Sequence, residues 1–387
     1  MSLLDALLLD PYRTNVWIAY RTDSVAGTGT QNDPYDGSTN FAAAKSVTLT
    51  NVGLVATATT VAPHGYSSNQ PVTIDVQTNP VGRSGTFLVT VTSSNTFNYL
   101  MINTPTLTPS GVMNASAVLG FRFDTIMTTL AANTRIHLGP TSANRPFLTK
   151  GYKVEGALGL SVKPAMKIIG SGIDVTTLCL VGQPGTCYAI GHDFAAGTVD
   201  YFEVSDLTID SNLMIPVATG NTACGAVRVM GNHARVRRIK VINWGANAAV
   251  PLFVVQNNLV ELVLNIHPNG YGSPVGILVY PQADSTPQYL CHQAVIRGNV
   301  VRHVNNTSDP SQRPVGIELW LCENALVENN VINLDTSAPI RQYGGGTLKY
   351  FNTQTPAGKL LQAYDFTLNQ YLNELTTDGE LALLSSS

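Results

Sequence analysis

Val175-x-x-Leu178-x-Leu180 is a short apolar phrase that returns as Val204-x-x-Leu207-x-Ile209 and Val236-x-x-Ile239-x-Val241. It comes back as Leu259-x-x-Leu262-x-Leu264, Ile296-x-x-Asn299-x-Val301 and Val327-x-x-Asn330-x-Ile332. Successive starts lie 29, 32, 23, 37 and 31 residues apart. Such irregular spacing disfavours helical-hairpin repeats, whose period is nearly fixed, and suits coils of strand joined by loops of variable length. A unit this short cannot bury its apolar face alone, so it must stack on its neighbours.

A second strand precedes the later phrases. Ala226-Val227-Arg228-Val229-Met230, Gly276-Ile277-Leu278-Val279-Tyr280 and Gly316-Ile317-Glu318-Leu319-Trp320 lie over one another when the coils are aligned. Strand alternation then points Ile277, Val279, Ile317 and Leu319 inward. Met230, Tyr280 and Trp320 form one outward column, and Arg228, Leu278 and Glu318 form its neighbour. Flat aromatic side chains in a column suit either sugar stacking or a protein interface. Asn299 and Asn330 occupy a position that is apolar in the other phrases, which predicts stacked asparagines hydrogen-bonded along the coil axis.

Composition narrows the class. Charged residues make up only 12% of the 387-residue chain, and Gly, Thr, Ser, Asn and Val are abundant. That profile suits an all-β, turn-rich, extracellular or virion-type protein. A net charge of −3 supplies no overall attraction for nucleic acid or anionic membrane. The five cysteines (179, 187, 224, 291 and 322) show neither CxxC nor Cys/His metal spacing, and read as small packed thiols. No stretch reaches the length of a membrane span. The leucines of residues 1–10 predict one short amphipathic helix, and without a basic leader they make a poor signal peptide.

Residues 46–118 differ from their flanks, with Thr and Val in period-two alternation and frequent turn signals, as in a small β-sandwich or barrel. Beyond them Phe123–Met127 reads as helix. The expected division is 1–45, an N-terminal helix and cap segment; 46–118, an inserted β-module; 119–343, the stacked coils; and 344–387, a C-terminal cap or assembly tail. Gly344-Gly345-Gly346 is expected to end the stack, with the later leucines forming short helices. The glycine-rich stretch Gly27–Ser38 lacks a Lys-Ser/Thr partner and has Pro34 where a helix would start, so it reads as a turn-rich loop rather than a phosphate cradle.

Two resemblances follow from these residues. Ala58–Tyr66, Val72-Thr73-Ile74, Gly85-Thr86-Phe87 and Thr96–Tyr99 resemble a small β-module of phage tail proteins, related in fold to the first catalytic-cysteine half-domain of ubiquitin-activating enzymes. No cysteine lies in the segment, so no ubiquitin chemistry is implied. The coils, with Arg135–Gly139 as the first rung and Lys167-Ile168-Ile169-Gly170-Ser171-Gly172 as an early one, resemble the right-handed parallel β-helix of pectate lyases, polygalacturonases and phage tailspikes. The resemblance implies an all-β, right-handed parallel β-helix solenoid with an inserted module and short terminal helices.

That resemblance also directs the search for chemistry. Polygalacturonase motifs are missing apart from an isolated Arg238-Ile239-Lys240. The nearest carboxylate cluster is Glu203, Asp206 and Asp210, which bracket one phrase and could serve as acid and base in a glycosidase or lyase. Turn and strand-edge roles explain them equally. The seven histidines have no metal-ligand spacing, and neither a cofactor nor a metal is expected. The function expected is a tail-fibre- or tailspike-like structural protein, virion-associated or extracellular. It would bind surface carbohydrate or assemble with sister subunits, a homotrimer being the form the resemblance implies. A polysaccharide lyase or glycoside hydrolase, and a purely structural filament or shell subunit, are the alternatives.

Overall fold

The computed structural model describes residues 11–23, 25–80, 82–101, 105, 107–142, 145–153, 160–181, 187–192, 199–210, 225–229, 234–243, 254–256, 259–265, 275–279, 294–306, 315–333, 340–351, 361–365, 370–374 and 379–382. Within them the chain is almost entirely β, with one helix, Arg122–Thr129. Its strands fall into a 19-stranded sheet, an eight-stranded antiparallel sheet and a three-stranded sheet.

The large sheet is a parallel ladder until its last two strands. Val16 is level with Ile136, then Ile168, Val204 and Val236, each on the next strand. From Ile136 to Val236 these side chains are 0% exposed, so the stacking that a lone repeat requires is complete. Backbone pairing carries the same column on through Val255, Ile296 and Val327.

A left-handed residue makes the phrase work. The first and fourth positions both face the core, although strict alternation would put them on opposite faces. Asp206 (φ 62°), Arg238 (φ 48°), Gly298 (φ 63°) and Asn329 (φ 54°) each occupy the third position. One left-handed residue turns the corner and resets the parity, so Leu207, Ile239, Asn299 and Asn330 all point inward.

Pairing corrects five expectations. The strand Thr14–Ala19 precedes Thr134–Leu138 in the ladder, so Arg135–Gly139 is not the first rung. Leu178 is level with Ile209, the sixth position of the next phrase, and Val175 is 42% exposed. Val260 is level with Val241, so the fourth repeat begins at Val255 rather than Leu259. Finally, Ile340–Phe351 runs straight through Gly344-Gly345-Gly346 in parallel pairing. The described parts of the tail are strands, Leu361–Asp365, Gln370–Glu374 and Gly379–Ala382, in place of helices; the last two pair antiparallel. The predicted helix over residues 1–10 lies outside the described residues.

In the chain, the eight-stranded sheet is inserted between two strands of the ladder, the short Tyr35–Asp36, which pairs with Thr14–Ala19, and Thr134–Leu138. Thr39–Phe41 leads in and Ser110–Phe121 leads out, and the two pair with each other. It has its own core, including Ile74, Phe87, Phe97 and Tyr99. Inside it His64 is buried as a hydrogen-bonded group: Nδ1 accepts from the Tyr66 N–H at 2.9 Å, and Nε2 is 2.9 Å from the Ser93 carbonyl. A separate cluster of Val118, Leu148, Cys179 and Val181 joins this sheet to the ladder, flanked by Phe41, Leu88 and Phe121. Cys179 lies between the core-facing Leu178 and Leu180 and so points into that seam, where burial, then the nearby Asp210, pushes its thiol pKa up. The helix Arg122–Thr129 crosses from one unit to the other. Its Asp124 is buried and accepts from the Thr149 hydroxyl at 2.6 Å and the Lys150 N–H at 2.8 Å.

Candidate functional site

Alternation along the early ladder strands creates two outward columns beside the buried one. The first runs Asn15, Arg135, Lys167, Glu203, Arg235; the second runs Trp17, His137, Ile169, Ser205, Arg237. The Trp17 and His137 rings stack at 4.7 Å and 13° on neighbouring strands, with His137 Nε2 at 3.3 Å from Asn15 Oδ1. Tyr12 leans over this face. Its ring lies 5.4 Å from the Arg135 guanidinium and 5.7 Å from the Lys167 ammonium, and its hydroxyl donates to the Tyr201 carbonyl at 2.8 Å. Burial, then the charges of Arg135 and Lys167, lowers the His137 pKa.

Glu203 is buried at the centre of this face. One oxygen, Oε1, receives both Lys167 Nζ, at 3.0 Å, and Arg237 Nη2. Burial pushes the Glu203 carboxyl up, but the hydrogen bonds from Arg237 and Lys167 outweigh it and leave the group below its usual range. Asp206 sits at the corner and takes a two-pronged contact from Arg238 of the next corner, Nε to Oδ1 at 2.6 Å and Nη2 to Oδ2 at 2.7 Å. Burial raises its pKa and the Arg238 bonds lower it further than that, for a net fall. Asp210 ends the strand and accepts from Asn243 Nδ2 at 2.9 Å. Glu203 and Asp206 are thus held as carboxylates by cations. Such groups can fix an arginine or act as a base; a general acid needs a carboxyl whose pKa has been raised.

The outward column of the later strands is placed only in part. Met230 and Tyr280 lie outside the described residues. Trp320 is in the strand Val315–Glu328, with its backbone level with Tyr343. Ile277, Ile317 and Leu319 are buried as expected, with Ile277 level with Ile317. Glu318 departs from the reading: it is only 6% exposed. Ile317 and Leu319 fill the core side, so Glu318 points the other way, and it is not the exposed group that the sequence suggested.

The early face was not anticipated, yet a signal for it exists. Val16-Trp17-Ile18 and Ile136-His137-Leu138 share one pattern, and placing them as partners puts Trp17 on His137 directly. Glycine-rich residues 27–37 make no anion cradle: the N–H groups of Thr28, Gly29 and Thr30 all point to the Asp33 carbonyl, at 3.1, 3.0 and 3.2 Å. Among the described residues no group of three or more His, Cys, Asp or Glu could hold a metal ion. No helix among them is long and apolar enough to cross a membrane.

No family model matches the chain, and no curated protein matches it. In structure it is similar to the A-module of the Azotobacter vinelandii mannuronan C-5 epimerase AlgE4, at 15% identity and a TM-score of 0.31, over 61% of this chain and 75% of that one. It is also similar to the catalytic domain of a GH87 α-1,3-glucanase in complex with nigerose, at 12% identity and a TM-score of 0.34, over 85% and 72%.

Proposed function

We propose that the chain is a right-handed parallel β-helix protein whose early ladder face binds carbohydrate. The observation that carries this reading is the Trp17–His137 stack, partly exposed on neighbouring parallel strands and bordered by Asn15, Arg135 and Lys167. A sugar ring offers one apolar face and a rim of hydroxyls, and an aromatic platform edged with hydrogen-bonding side chains complements both. The winding is supported by the parallel register and by left-handed corners at matching positions. A virion or extracellular setting fits the low charge and turn-rich composition. Self-association, with a homotrimer as the form, belongs to the same proposal; a monodisperse monomer at micromolar concentration in light scattering would remove it.

The enzymatic alternative, a lyase or hydrolase working through Glu203, Asp206 and Asp210, has less support because Glu203 and Asp206 are occupied by cations. A glycan array with the intact chain, Trp17→Ala and Trp17→Phe tests the proposal. Binding lost in the alanine variant and kept in the phenylalanine variant supports it, and silence of the intact chain overturns it. A reducing-sugar and unsaturated-uronide assay on the same panel separates binding from cleavage. Activity abolished by Asp206→Asn would favour the enzyme.

A further inference from the structure

Charge on the early ladder face is segregated in a way the whole-chain total conceals. Lys167, Arg235 and Arg237 stand on its two outward columns and Arg238 stands at the adjoining corner; among the described residues of these columns and this corner the carboxylates are Glu203 and Asp206. Four cations to two carboxylates among these described residues is an excess of two positive charges on a protein whose net charge is −3. The acceptors are also overcommitted. Lys167 and Arg237 share a single oxygen of Glu203, the buried Arg237 Nε has no partner among the described residues, and Arg235 is exposed without an ion pair among them. Fixed cations lacking acceptors attract an anion, and guanidinium groups meet carboxylate or sulfate through paired hydrogen bonds.

Position adds a length requirement. Trp17 and Arg235 are four strands apart along the ladder, about 19 Å at the usual strand spacing. One sugar cannot reach both.

Resting on the carbohydrate-binding reading, we propose that this face takes an anionic glycan of several units. The glycan lies across the strands, with one ring on Trp17 and its carboxylate or sulfate groups at Lys167, Arg235 and Arg237. A glycan fits better than a nucleic acid because the aromatic contact is one stacked pair at the end of the face rather than a series of platforms tracking a strand.

The test is calorimetric titration of the full chain with five probes: a galacturonate octasaccharide, a heparin-derived octasaccharide, a neutral dextran octasaccharide, single-stranded DNA of similar length and galacturonate monosaccharide. Arg235→Gln is the variant of choice, since Arg235 is exposed and its loss leaves the fold intact, as a melting curve will verify. Expected are binding of one or both anionic glycans, weakening with added salt, a loss of roughly tenfold in Arg235→Gln, and a much weaker response to galacturonate monosaccharide. Carboxylated and sulfated probes distinguish the two sources of anion. Equal binding of dextran, unaffected by Arg235→Gln, overturns the anionic assignment and leaves carbohydrate binding standing. DNA binding as tight as either glycan overturns the choice of ligand. No binding of any probe overturns both proposals.

Discussion

Asn330 and Asn299 are stacked inside the ladder, and the Oδ1 atom of Asn330 accepts both the backbone N–H and the side-chain amide of Asn299, at 3.0 and 2.8 Å. Asn330 Nδ2 in turn donates to the Ile296 carbonyl at 2.9 Å. Both side chains are 0% exposed, so no water replaces a lost partner. Asn330→Leu restores the apolar character of earlier repeats but strands the Asn299 N–H, the Asn299 amide and the Ile296 carbonyl. It should cost about 3 kcal/mol in urea unfolding. Adding Asn299→Leu should cost less than a second full increment, because the two sites are coupled.

The corner residues carry a backbone prediction. Asn329, at φ 54°, precedes Asn330 and stands level with the corner at Gly298. Asn329→Gly should leave stability within about 0.5 kcal/mol of the parent, since glycine accepts this conformation freely. Asn329→Val should cost about 1–2 kcal/mol, because a branched side chain clashes in the left-handed region. Equal melting temperatures for the two variants would contradict the corner account.

Glu203 predicts an acid limb. Its folded pKa lies below the ordinary 4.5, because the hydrogen bonds of Arg237 and Lys167 outweigh the effect of burial. The stability it contributes is present above the unfolded value and is lost as pH falls through the folded one. Melting temperature followed from about pH 6 to about pH 3 should fall more steeply for the parent than for Glu203→Gln. Glu203→Gln should also lie below the parent at pH 7, because two cations lose their shared partner.

Asp124 predicts the opposite slope. Burial, opposed by the Thr149 and Lys150 hydrogen bonds, pushes its carboxyl up from 3.8 to about 6. A group raised in this way stabilises the fold most below its unfolded pKa, and that contribution is lost as pH rises through the folded one. Between about pH 4 and about pH 6.5 the parent should lose stability that Asp124→Asn does not lose. A pH-independent difference between the two proteins would assign Asp124 a packing role only.

Much of the architecture was legible in the repeated phrase, whose members at Val204, Val236, Ile296 and Val327 are in true register. Two members were misplaced for the same reason. The misplacement is two residues at Leu178 and four at Leu259, even shifts that keep the side-chain parity of a strand and so leave an apolar phrase matching in the wrong register. The strand Thr14–Ala19 was missed because its partner follows the whole inserted sheet. Leucines in the tail had helical spacing, but strands that end a sheet must pair, and pairing prevailed over local preference. The carboxylates were found by type, whereas their cations were not, since Lys167 and Arg237 reach Glu203 only when the strands that carry them pair on either side of it. Composition hid the basic face entirely, because opposite charges elsewhere cancel it in the sum.

The seating of the inserted sheet also sets an order of events on the ribosome. Thr14–Ala19 emerges first and has an early partner in Tyr35–Asp36, but its longer pairing with Thr134–Leu138 must wait for the whole insert to be synthesised. The insert is built from hairpin neighbours such as Lys45–Val52 with Val55–Thr60, contacts that close quickly. Its two connecting strands finish side by side, Thr39 opposite Phe121. Once formed, it therefore shortens the effective loop between the waiting strand and its partner, and acts as an internal tether that brings those two strands together.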